Sequence, residues 1–173
     1  MFVVGSFTED VYFFSIFKTI THQSMSVLTG KVFYEALKQN EDVMRETGGR
    51  IYSTAIEVPP MDEDTTPLPY IILMANGGNN DQTSKDDFEG ATDHVQIAAE
   101  IAADGTDAVL DIANMVRAAI HDYFTAVRSG EITSELADLI PEDYVFSWDA
   151  VAWDWSKPCH FTTLHWACDT NNL

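Results

Sequence analysis

The chain predicts an α+β domain: a largely antiparallel sheet of about four to five strands, two main helices packed on one face, and one long protruding hairpin. Three observations carry this. Val27, Leu28, Val32, Phe33 and Leu37 recur at helical spacing, and so do Val109, Ile112, Val116, Ala119, Ile120 and Tyr123. Val95, Ile97, Ala99 and Ile101 alternate with His94, Gln96, Ala98 and Glu100, the period of a strand with one face in a core. Turn-rich segments separate these elements in the order α-β-β-β-α-(α)-β-β, which stacks helices on a sheet rather than interleaving parallel βαβ units.

Taken in order, residues 1–24 are aromatic and β-branched without a clear period. They form an N-terminal extension, with two readings open: it packs on the domain or a neighbour, or Met25 is the native start. The domain proper is expected over 25–173. Its first helix takes Ser24 or Ser26 as cap and ends near Asn40. The polar EDVMRET reads as a turn leading to the breaker pair Gly48-Gly49, and Arg50 to Ser53 as a short strand. Residues 57–69, rich in proline and acid, are a loop, and Leu68 to Met74 is a buried strand. Asn76 to Asn80 has turn chemistry and Gly90 closes the polar part, so the hairpin loop spans about 15 residues against roughly 2–5 in most hairpins. Thr106 is the expected cap of the second main helix, with Asp107 in its first turn and Ser129-Gly130 at its end. A short helix from Ser134 to Leu139 stops before Pro141. Tyr144 to Trp155 and Phe161 to Cys168 close the sheet, turning at Pro158. Tyr144, Phe146 and Trp148 share one parity, Trp153 and Trp155 the other, which predicts a bulge or turn near Ala150.

Composition limits function. A chain of 173 residues, 46% hydrophobic and 21% charged, buries a real core and is not disordered. Its formal charge of -19, from 28 acidic and 9 basic residues, opposes binding to nucleic-acid phosphates and to anionic membranes. The same charge permits a surface that repels DNA or mimics it. Cys159 and Cys168 are too few for a disulfide framework. No apolar run nears the roughly 20 residues that span a bilayer, and early acids replace the positive charge of a signal peptide.

Several segments hold residue types of chemical sites without the spacing that such sites need. Cys159, His160, His165 and Cys168 are zinc-ligand types without zinc-site spacing, and in a strand they divide between two faces. Packed strand residues are the better reading. Asp86, Asp87 and Glu89 lack the alternation of a calcium loop. Gly77-Gly78 opens neither a dinucleotide fingerprint nor a phosphate loop, and no nucleophile elbow is present. The expectation is therefore a non-enzyme with no cofactor and no metal. The dense C-terminal tryptophans either pack between strands or form a subunit interface.

The segment VFYEALKQNEDVMRETGGRIY, the run LPYIILMAN, the strand HVQIAAEIAAD and the helix DAVLDIANMVRAAI, in this order, resemble the tail-terminator, or tail-completion (minor tail), proteins of long-tailed bacteriophages and prophages. The local patterns are Gly49-Arg50-Ile51-Tyr52, Leu68-Pro69-Tyr70-Ile71, and a strand followed by a helix that reaches Arg117. They cover residues 25–125, and the C-terminal strands more loosely. Residues 1–24 match nothing in the pattern, and the C-terminal tryptophans are richer than it leads one to expect. The resemblance implies a structural virion protein, made in the bacterial cytoplasm and resident in the tail. It implies a homo-oligomeric ring, a hexamer, that ends the tail tube and contacts the tube protein and the head–tail connector proteins. DNA would pass through the lumen without specific binding. An acidic lumen suits that passage, and the protruding loop nominates Asn79, Asp81, Asp86, Asp87 and Glu89 for lumen or interface, with Trp153 and Trp155 as interface candidates. Two other classes stay in view. One is an acidic DNA mimic that inhibits a basic host protein. The other is a small metal protein using His94, His121, His160 and His165.

Overall fold

β3 (Thr92–Ala103) is the spine of the protein, hydrogen-bonded along its length to β2 (Tyr70–Asn80) on one side and β6 (Cys159–Asn171) on the other. This computed structural model describes residues 25–54, 67–80 and 92–171. The remaining elements are α1 (Met25–Gln39), α2 (Glu41–Thr47), β1 (Ile51–Ser53), α3 (Thr106–Ser129), a 3-10 turn at Ala137–Leu139, β4 (Tyr144–Trp148) and β5 (Ala152–Asp154). The 6-stranded sheet runs β1-β2-β3-β6-β4, with β5 also on β6. Among the described residues β1–β2 is the one parallel pairing and the others are antiparallel. The class is α+β, as expected.

The predicted stripes face the sheet. Val32, Phe33, Ala36 and Leu37 of α1, and Val109, Ile112, Val116, Ile120, Tyr123 and Phe124 of α3, are buried over Ile71, Leu73, Val95, Ile97, Ile101, Leu164 and Trp166. Three rings bind the two helices to β6. Phe33 meets Phe124 edge-on at 5.2 Å and Trp166 at 5.4 Å. Each such side chain contributes about 1.5–3 kcal/mol through burial, and edge-to-face contact adds about 1 kcal/mol. A smaller cluster, Tyr70, Ala102 and Cys159 with Tyr52, Leu68, Ile72 and Phe161, lies on the sheet's other face.

Three local readings need correction. EDVMRET is a helix, because Asn40 Oδ1 accepts from the Val43 amide at 3.0 Å and Glu41 and Asp42 suit the dipole of its first turn. It ends at Gly48, whose φ of 58° is left-handed and whose amide caps Arg45 O and Met44 O. α3 takes Gly105, not Thr106, as its N-cap, and the Val109 amide bonds Gly105 O at 3.1 Å. The short helix after α3 is reduced to the 3-10 turn. Both hairpin strands also run beyond their apolar cores, with Gly77 at φ 84° inside a register shift between Ala75 and Gly78.

Candidate assembly surface

The outer edge of the sheet is one strand broken in two. Trp148 pairs with Leu164, and Ala152 with Phe161. The broken strand thus carries one residue more than β6 between these pairs, which is the count of a β-bulge. Two bonds fix the break: the Asp149 amide donates to Thr163 O at 2.9 Å, and the Thr162 hydroxyl donates to Asp149 O at 2.8 Å. This is the bulge near Ala150 that the change of tryptophan parity predicts, and the extra residue offsets that change. Trp148, opposite Leu164, and Trp153, opposite His160, therefore point to the same, helix-bearing face.

That face is not fully covered. Trp148 is 66% exposed, Trp153 39% and Trp155 88%. Phe146 stacks on Trp148 at 5.8 Å and tilts against buried Trp166 at 5.4 Å, so the exposed ring continues the core outward. Between the edge and α3 runs a groove. One part, about 220 Å3, is lined by Leu110, Ala113, Asn114, Arg117, Phe146, Trp148, Thr162 and Leu164. The adjoining part, about 380 Å3, adds Ala118, His121, Asp122 and Tyr144. The Arg117 guanidinium sits over the Phe146 ring at 5.0 Å. Among the described residues no carboxylate lies in ion-pair range of Arg117. His121 Nδ1 lies 3.3 Å from the Tyr144 hydroxyl.

Beyond the groove, β5 and β6 meet in a turn that carries Trp155. Trp153 packs edge-on against Trp155 at 6.1 Å and His160 at 4.8 Å. Asp154 Oδ1 accepts from the Ser156 amide at 2.8 Å and hydroxyl at 2.7 Å. Chiefly through the Ser156 hydroxyl, its carboxyl is held below the usual carboxylate range. Asp154 pairs with Cys159 and so faces the side of the sheet opposite the helices, while Trp153, paired with His160, faces the helices.

Of the nominated residues, Trp153 and Trp155 come together on this tip. Asn79 lies at the far end of β2, paired through its backbone with His94. Asp81, Asp86, Asp87 and Glu89 lie outside the described residues. The sequence left Trp148 among the tryptophans that either pack between strands or form an interface, and did not single out Leu110 or Arg117 for a surface role. The one available signal was Leu110, an apolar residue off the buried stripe of α3 and 45% exposed.

The cysteines and histidines of β6 divide as their parity requires. Cys168 is buried in the main core, while Cys159 joins the cluster on the other face. His165 Nε2 meets Asp149 Oδ2 at 3.1 Å, and His160 Nδ1 is 3.3 Å from Asp104 O. No group of three or more His, Cys, Asp or Glu that could hold a metal ion occurs among the described residues. No described helix is long and apolar enough to cross a membrane.

No family model matches the chain. No curated protein matches it. Among solved structures, a chain in the virion of a native gene transfer agent (GTA) particle is weakly similar in fold: 15% identical, covering 81% of this chain and 92% of that chain, with a TM-score of 0.42.

Proposed function

We propose that this chain is a structural assembly protein of a phage or prophage tail, a ring-forming subunit that ends the tail tube and joins it to the head. One observation carries the reading: three exposed tryptophans, Trp148, Trp153 and Trp155, lie along one edge of the sheet in a chain of formal charge -19. Scattered single apolar residues on a surface are ordinary, but exposed tryptophans gathered along an edge strand favour a protein-binding role for that edge. The patterns that resemble the tail-terminator proteins sit where the fold is built. Gly49 to Tyr52 enters β1, and Leu68 to Ile71 enters β2. Arg50 bridges them, donating from Nε to Pro69 O at 2.8 Å.

In this reading the role is structural, without turnover, cofactor or metal. The partners are other copies of the chain, the tube protein and the connector proteins of the head. DNA passes through an acidic lumen that repels its phosphates. A hexamer is the expected ring.

The test is tail length. Tubes assembled with the chain should be uniform in electron micrographs and competent to join heads. Tubes assembled without it should be variable and over-long. Identical length distributions would overturn the proposal.

A further inference from the structure

Asn76-Gly77 is the one Asn-Gly pair of the chain. The main-chain nitrogen after an asparagine can attack the side-chain amide carbon, and glycine has no side chain to obstruct the approach. A regular ladder suppresses this attack by holding the backbone in cross-strand hydrogen bonds. Here the ladder is broken. Ala75 pairs with Ile97 and Gly78 with Val95, so Asn76 and Gly77 together stand opposite Gln96. Two residues against one is a bulge, which leaves the extra residue out of the pairing. Gly77 holds a φ of 84°, and a Cβ placed there would meet nothing within 4 Å. Asn76 is exposed. The reacting pair is thus unhindered, outside the regular ladder and open to water.

We propose that Asn76-Gly77 is a self-modification site, at which the folded chain converts the asparagine to aspartate and isoaspartate. The Gly77 nitrogen bonds to Asn76 Cγ, the bond from Cγ to the amide nitrogen breaks, and ammonia leaves with the proton that the Gly77 nitrogen gives up. Water then opens the cyclic imide. Opening at the side-chain carbonyl gives aspartate; opening at the main-chain carbonyl gives isoaspartate, whose main chain runs through the side-chain carbon. Nothing is oxidised or reduced. Each event adds a negative charge to a chain already at -19. Isoaspartate also lengthens the main chain at the point where β2 changes register on β3. The hairpin thus carries a chemical record of the age of the protein. This inference rests on the bulge and is independent of the ring reading.

The experiment ages the full-length chain at mildly alkaline pH, in buffer and in guanidinium chloride, and follows its asparagine-containing peptides by mass spectrometry. A residue locked in a ladder reacts only through local opening, so folding slows it by the rarity of that opening. Asn76 should convert in the folded chain within about tenfold of its rate in denaturant, because the bulge asks for no opening. Isoaspartate should be among the products. Asn114, which lies inside α3, should stay intact over the same period. Asn76→Gln should keep the far-UV circular dichroism of the wild type and show no conversion at that position. A folded-chain rate more than about tenfold below the rate in denaturant overturns the proposal, because the bulge then protects the pair. Conversion of Asn114 as fast as that of Asn76 overturns it too, because the bulge then confers nothing.

Discussion

The Thr162 hydroxyl donates to the Asp149 carbonyl at 2.8 Å, at the residue where β4 gives way to β5. Thr162 is 2% exposed, so this bond is anchored in the sheet while Asp149 is at the surface. It holds the bulge that turns Trp148 and Trp153 to one face.

Replacing Thr162 by Val keeps the shape and removes the donor. The expected cost is about 1 kcal/mol in urea denaturation, the net worth of one such bond. Unchanged stability would show that the bulge is held by other contacts.

Tryptophans of the same strand pair should differ sharply in energetic weight. Trp166 is 1% exposed and packs on Phe33 and Phe146, so Trp166→Ala should cost about 3–5 kcal/mol. Trp155, 88% exposed, should change stability by no more than about 0.5 kcal/mol when replaced by Ser. Equilibrium denaturation of both variants at a concentration where the chain is monomeric checks this.

Glu100 gives a pH dependence. Burial first, and the nearby Asp154 charge second, raise its carboxyl above the ordinary value, with Lys157 partly opposing. A raised acid binds its proton more tightly in the folded chain than in the unfolded one. The stability it lends is therefore complete below the unfolded value and lost as pH rises through the folded one. Glu100→Gln should accordingly melt higher than wild type at pH 7 and close to it at pH 3. Equal melting at both pH values would contradict the assignment.

The thiols should be inert. Burial, with a smaller push from Asp169, raises Cys168 to about 12, and burial also raises Cys159. Both are buried and free. The thiolate is the reactive form, so neither cysteine should react with a thiol reagent at pH 8 in the folded chain, and both should react in urea.

The sequence shows the fold wherever periodicity and burial coincide. The stripes of α1 and α3 and the alternation of β3 are legible because each element buries one face in a single core. α2 is not, because a polar seven-residue helix has no stripe, and its only signals are the Asn40 cap and the acids after it. The ends of β2 and β3 are missed because Asn76 to Asn80 carries turn chemistry, although the ladder pairs Gly78, Asn79 and Asn80 with Val95, His94 and Asp93. The bulge is legible from tryptophan parity alone. The groove is not, because Leu110 and Trp148 meet only through the packing of α3 on the sheet. Nor does composition separate Trp155 from Trp166. Their opposite burial follows from place: Trp166 lies within β6 against Phe33, and Trp155 lies in the turn that joins β5 to β6.

The most direct measurement is the mass of the full-length chain by light scattering over a concentration series, at low and moderate salt. Screening weakens repulsion between acidic subunits. A ring-forming subunit gives a discrete ring-sized species whose population grows with concentration and with salt. A chain that holds the monomer mass of 19.3 kDa under every condition would contradict it.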